Sequence, residues 1–175
     1  MQRIGSILRF SPSDINDFVA CTNIVHFKRA VVEGLLRQPE TQNSSADLLA
    51  KKGDEHERAY LRRLHSEGLA VIEIGKMPIE NAADATEDAM RKGAGIIYQA
   101  AFLHGDWQGH ADFLVRVDRP SNLGNWSYEV ADTKLARHAK PYFLLQLSFY
   151  SERHLRLETP MCIAASVSQR HEGTG

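Results

Sequence analysis

Three runs of strand-forming residues follow one another with only turn-sized links between them: Ile96 to Leu103, Gln108 to Val117, and Trp126 to Leu135. The first link, His104-Gly105-Asp106-Trp107, is the size of a hairpin turn. The second, Asp118 to Asn125, holds Pro120, Asn122 and Gly124, residue types that favour turns. Strands joined so closely pair antiparallel, because a parallel return needs a crossover of about a dozen residues or more. The middle of the chain is therefore a three-strand meander, and everything else must pack around it.

Helical signals flank the meander. Ser11 caps a helix with Pro12 at its first position. This helix is expected to reach about residue 36, with a break near Cys21. A loop covers Gln38 to Ser45. From Ala46 to Ser66, Leu49, Gly53, His56, Tyr60 and Leu64 share one helical face, and Gly68 ends the helix. A short strand, Ala70 to Ile74, precedes a helix from Asn81 to Lys92, capped by Asn81 and stopped by Gly93. After the meander come a helix from Pro141 to about Leu155 and a strand from Met161 to Val167. The order predicts an α/β domain, a mixed β-sheet flanked by helices with an N-terminal helical region.

Bulk properties narrow the function. A length of 175 residues fits one domain, 1–175, with a sizeable core. The formal net charge of -1 argues against a protein that coats nucleic acid, but leaves room for one local basic patch. The two cysteines, Cys21 and Cys162, make neither a disulfide scaffold nor a four-thiol metal site. No apolar run is long enough to span a membrane and the start is not a secretory signal, so a cytoplasmic location is expected. The chain closes on polar SQRHEGTG directly after a buried-looking strand. Two readings stay open, a C-terminally truncated fragment of a longer protein or a natural frayed end.

Four features carry chemistry. Asp132 and Lys134 alternate onto one face of the third strand, with Glu129 on the other. Asp112 interrupts an apolar run, Gly109-His110-Ala111-Asp112-Phe113-Leu114, in the neighbouring strand. A carboxylate there either shares a hard cation with Asp132 or marks where burial ends and water begins. Gln146 and Tyr150 are four apart on the later helix, and share a face there. His56 follows Gly53 by one turn, and Gly53 leaves room for another element to approach; a lone histidine on such a face is also a common core residue.

In this order, Gly53-x-x-His56, Gly109-x-x-Asp112, Asp132-x-Lys134 and Gln146-x-x-x-Tyr150 resemble the RecB branch of the PD-(D/E)XK nucleases. The opening Ser11-Pro12-Ser13 with Cys21, and the wording WSYEVADTKLA and KP-x-x-LLQLSFYSE, resemble its RecB-like group, often fused to helicase-type regions. The resemblance spans nearly the whole chain and implies a restriction-endonuclease-like core. It implies metal binding by His56, Asp112 and Asp132, with the carbonyl of Thr133 as a further ligand. Lys134 would position or activate the attacking water, and Gln146 and Tyr150 would contact substrate.

The implied activity is that of an exonuclease-like, metal-dependent deoxyribonuclease in DNA repair or processing. Two carboxylates suit Mg²⁺, and an added imidazole suits Mn²⁺ as well. The alternative is a non-catalytic nucleic-acid-binding module of the same fold. The expected partners are DNA and a helicase module in the same or another chain, and no membrane. Some relatives carry an iron–sulfur cluster on one early and three late cysteines; with Cys21 and Cys162 alone, a complete cluster is not expected here. No GxxxxGK[ST] phosphate loop occurs, so ATP hydrolysis is not encoded. Arg137, His138 and Lys140 form one candidate phosphate patch, and Lys51, Lys52, Arg62 and Arg63 a second.

Overall fold

The computed structural model describes residues 1–38, 44–132 and 166–167. The chain opens on a hairpin, β1 (Gln2–Ile4) and β2 (Ile7–Arg9). Strands of three residues are too short to show a period, so the sequence predicts nothing there. The helical region follows as α1 (Pro12–Ala20) and α2 (Thr22–Val32). Cys21 separates them in an extended conformation (φ -168°, ψ 120°), which is the expected break. The buried Asp14 carboxylate accepts hydrogen bonds from the Ser11 backbone N–H and hydroxyl, both at 2.8 Å, and so fixes the start of α1.

Next come α3 (Ser44–Ser66), β3 (Val71–Glu73), α4 (Ile79–Arg91), β4 (Ile96–His104), β5 (Trp107–Val117), β6 (Ser127–Asp132) and β7 (Ser166–Val167). One correction concerns α4. Pro78, not Asn81, is its N-cap, and the Pro78 carbonyl accepts the Ala82 N–H at 3.0 Å. An extended proline lets the helix begin two residues earlier and leaves Asn81 in the first turn. Gly93 closes α4 at φ 72°, as a left-handed C-terminal residue should.

The sheet order is β3-β4-β5-β6-β7. β4, β5 and β6 form the expected antiparallel meander, while β3 pairs parallel with β4 and β7 parallel with β6. This is a mixed α/β domain with a mixed sheet. Helices cover both faces. On one face, Ala89 and Met90 of α4 pack on Ile97, Ala100, Ala111, Leu114, Tyr128 and Val130. On the other, Tyr60, Leu61 and Leu64 of α3 pack on Ile96, Tyr98, Phe113, Val115 and Ala131. No helix among the described residues is long and apolar enough to cross a membrane.

The expected helix from Pro141 and most of the expected last strand lie outside the described residues. So do Thr133, Lys134, Arg137, His138, Lys140, Gln146, Tyr150 and Cys162.

Candidate functional site

Strict alternation along β4 and β5 fails at one place on each strand. On β4, Ile97 and Ala100 face α4, while Tyr98 packs with α3 and the Gln99 side-chain amide donates to Glu57 of α3. On β5, Ala111 and Leu114 face α4, while Phe113 packs with α3. Each strand therefore carries one additional residue between two positions on the α4 face, Gln99 on β4 and Asp112 on β5. The ladder runs through Tyr98↔Phe113 and Ala100↔Ala111, so these two residues stand opposite each other and the register does not slip. Gln99 is the only non-glycine residue with positive φ among the described residues, at 54°. An unbranched side chain in this left-handed conformation is uncommon, and such outliers gather at sites under functional constraint.

α3 runs across this break. Tyr60 meets Phe113 edge-on, with ring centroids 5.0 Å apart. One turn earlier the helix brings Glu57 to Gln99 and Tyr98, whose amide and hydroxyl both donate to its carboxylate. Burial raises the Glu57 pKa above the usual glutamate value, and the neighbouring charges of Asp112 and Asp54 raise it further against those two hydrogen bonds. Burial also pushes the Tyr98 hydroxyl up to about 12. His56, beside Glu57, is half-buried, and its Nε2 is shielded from water with no hydrogen-bond partner among the described residues.

A cleft of about 530 Å³ opens beside the break, lined among others by Asp54, Glu57, Arg58, Lys76, Gln99 and His110. The surrounding protein lowers the pKa of His110, so its neutral form is favoured there.

Of the residues expected from sequence, Asp112 stands at the break within electrostatic reach of Glu57, the chain neighbour of His56. Asp132 is placed by its backbone. The ladder between β5 and β6 pairs Phe113 with Ala131, and one further step along it sets Asp132 opposite Asp112. Glu129 pairs with Val115 and shares a face with Ala131, and its carboxylate stands 3.7 Å from the Arg119 guanidinium. Among the described residues, no group of three or more His, Cys, Asp or Glu side chains is arranged to hold a metal ion. The expected ligand set also draws on the Asp132 carboxylate and on the carbonyl of Thr133, which lies outside the described residues. Of the expected ligands, His56 offers a water-shielded ring nitrogen, a donor type that binds divalent cations.

Gly53 differs from expectation. No described atom lies within 4 Å of where a Cβ would stand, so no described element approaches it. The first turns of α3 stand clear of the sheet, with Leu48 and Leu49 55% and 64% exposed. In the second basic patch, Lys51, Lys52 and Arg62 are exposed, and Arg63 is paired with Glu67 at 2.7 Å. Cys21 is exposed as a free thiol.

Glu57 and Gln99 were not anticipated from the sequence. Gln99 had a signal, being the one amide in the apolar run Ile96-Ile97-Tyr98-Gln99-Ala100-Ala101-Phe102-Leu103. Glu57 had only its place beside His56. Comparison with known proteins gives no match to any family model, curated protein or solved structure.

Proposed function

We propose that this chain is a divalent-metal-dependent DNA nuclease of the RecB-like kind, hydrolysing phosphodiester bonds. The observation that carries the reading is the paired break in β4 and β5. It takes Asp112 out of regular alternation and within electrostatic reach of Glu57, the chain neighbour of His56. The β5–β6 ladder sets position 132 opposite it in register, where backbone alternation from Ala131 on the α3 face groups that position with Val130. The order of sequence motifs supports the same reading.

In this reading His56, Asp112 and Asp132 hold Mg²⁺ or Mn²⁺, with the Thr133 carbonyl as a further ligand. When bound, such an ion supplies an activated water and compensates the charge that builds on the phosphoryl oxygens. The chain's own residues do the rest. Lys134 orients the water and neutralises developing charge. Gln146 and Tyr150 steady the substrate, and Arg137 and Lys140 take its flanking phosphates. The cleft beside Glu57 leaves space next to the site for a substrate group. A nuclease of this type would act in DNA repair or processing, alongside a helicase module.

The test is incubation of the protein with end-labelled single- and double-stranded DNA, with and without Mg²⁺ or Mn²⁺. Metal-dependent cleavage is expected. Asp132→Asn should lower it by about 100-fold or more while the fold is kept, because a charge that stabilises the transition state is lost at constant volume. Glu129→Gln should change it far less, since that carboxylate sits with Arg119 farther along the ladder. Equal losses in the two variants would reject the assignment. DNA binding without cleavage in the wild type would favour a binding module instead.

A further inference from the structure

At ordinary strand angles, position 99 would alternate onto the α4 face, between the buried Ile97 and Ala100. An amide in that apolar cluster would lack partners. The positive φ instead carries the Gln99 side chain to the α3 side, where its N–H₂ donates to Glu57 Oε1 and the two side chains line one cleft. Building on the nuclease reading, we propose that this cleft, between α3 and the end of β3, is a nucleobase pocket. It takes the unpaired terminal nucleotide of a DNA strand, with Gln99 and Glu57 reading the base and Lys76 holding its phosphate. The choice of DNA rests on the nuclease reading, while the pocket stands on the side chains that build its wall.

The wall is rich in acceptors. The Gln99 amide meets both Glu57 and the Tyr98 hydroxyl, so its N–H groups are turned into the protein and its carbonyl is the part left for a ligand. The Glu57 carboxyl receives two donors and keeps lone pairs beyond them. Side-by-side acceptors of this kind match an exocyclic amino group. Cytosine and adenine carry one, and thymine carries a carbonyl oxygen in its place. In a duplex that amino group is already paired, so the base must arrive unpaired. The cleft, of about 530 Å³, falls in the range of about 300–1,000 Å³ in which small ligands are bound. Two cations, Arg58 and Lys76, stand exposed at its mouth, in no salt bridge among the described residues. Asp54 lies one turn before Arg58 on α3 and offsets its charge, which leaves Lys76 for the phosphate. Glu73, on the same side as Lys76, is engaged by His65 at 3.3 Å.

The experiment titrates the full chain by calorimetry in a chelator, with dCMP, dTMP and deoxyribose 5-phosphate. A second arm uses single strands ending in cytosine, thymine or an abasic site, and a blunt duplex. We expect dCMP to bind about 10-fold more tightly than dTMP or the sugar phosphate, strand ends to follow the same order, and the duplex to bind no more tightly than the abasic strand. Gln99→Gly removes only the amide, because glycine adopts φ 54° freely, and should fold and bind dCMP and dTMP alike. Glu57→Gln, which puts a donor among the acceptors, should lose the preference as well. Lys76→Ala should weaken dCMP, dTMP and the sugar phosphate by a similar factor and keep the preference. Equal binding of dCMP and dTMP by the wild type, no binding at all, or an unchanged preference in a folded Gln99→Gly or Glu57→Gln protein would overturn the pocket. A preference among mononucleotides that strand ends do not show would assign the cleft to free nucleotides and overturn the DNA terminus. The expected preference in a protein that cleaves no DNA with Mg²⁺ or Mn²⁺ would reject the nuclease reading and keep the pocket. Cleavage by a protein without any such preference would do the reverse.

Discussion

At the scale of single residues, Glu57 carries a charge that the fold resists. Burial comes first, then the neighbouring carboxylates of Asp112 and Asp54, and together they raise its pKa above the ordinary 4.5 despite two hydrogen bonds. A carboxyl whose pKa rises on folding stabilises the protein fully below its unfolded pKa. That contribution is lost as pH rises through the folded pKa. Metal-free Glu57→Gln should therefore match the wild type near pH 4 and exceed it in stability at neutral pH. Urea unfolding at the two pH values in the presence of a chelator measures this. A wild type that is the more stable at neutral pH would mean that the surrounding donors outweigh burial. The same residue shows the limit of what a sequence displays. The period of two in a strand correctly placed Glu129 with Ala131, but no periodic pattern anticipates a site where both partner strands skip together. His56 and Asp112 stand out in the sequence because their types are conspicuous, whereas the Gln99–Glu57 pairing appears only in the fold.

At the scale of elements, several boundaries were legible where local chemistry sets them, while the start of α4 and the end of α2 were not. Ser11 and Pro12 open α1, Cys21 divides the helices, and Gly68 and Gly93 turn the chain at φ 75° and 72°. The N-terminal hairpin was not legible, because its anchor is remote in sequence. The Phe10 N–H donates to the Asp106 carbonyl at 2.7 Å, and the Gln108 N–H returns to the Phe10 carbonyl at 2.8 Å. The space beside Gly53 is hard to read for a related reason, since a glycine's surroundings depend on the partner helix or sheet and not on its neighbours in sequence. With open space about it and a helical backbone, Gly53→Ala should stabilise the protein by about 0.5–1 kcal/mol. Thermal unfolding tests this. A loss of stability would show that something does pack on this face of α3. If the glycine serves the approach of DNA, the same variant will gain stability and lose DNA affinity.

For the molecule taken together, a net charge of -1 gives no long-range pull on a polyanion, so the proposed DNA binding would have to rest on local basic groups. Replacing Arg137 and Lys140 together with alanine should weaken DNA binding and flatten its salt dependence. The log–log slope should fall by about 0.7 to 0.9 for each phosphate no longer neutralised. Mn²⁺ affinity should be unchanged, as neither residue is assigned to the metal. Binding measured across a salt series decides it, and an unaltered slope would remove this patch from the substrate path. The α/β class and the meander could be read from the sequence because short links leave strands few ways to pair. How β3 and β7 extend the sheet in parallel could not, since those strands of three and two residues depend on crossovers for their place.

Subtraction shows how little the sheet itself needs the paired break. Without Gln99, β4 would read Ile97, Tyr98, Ala100 in ordinary alternation, and without Asp112, β5 would read Ala111, Phe113, Leu114 in the same way. The hairpin that remained would be complete and correctly registered. The paired break is therefore an addition to a ribbon that does not need it, one residue in each strand at the same level. A matched deletion of Gln99 and Asp112 would remove the break and leave the two packing faces of the hairpin in regular alternation.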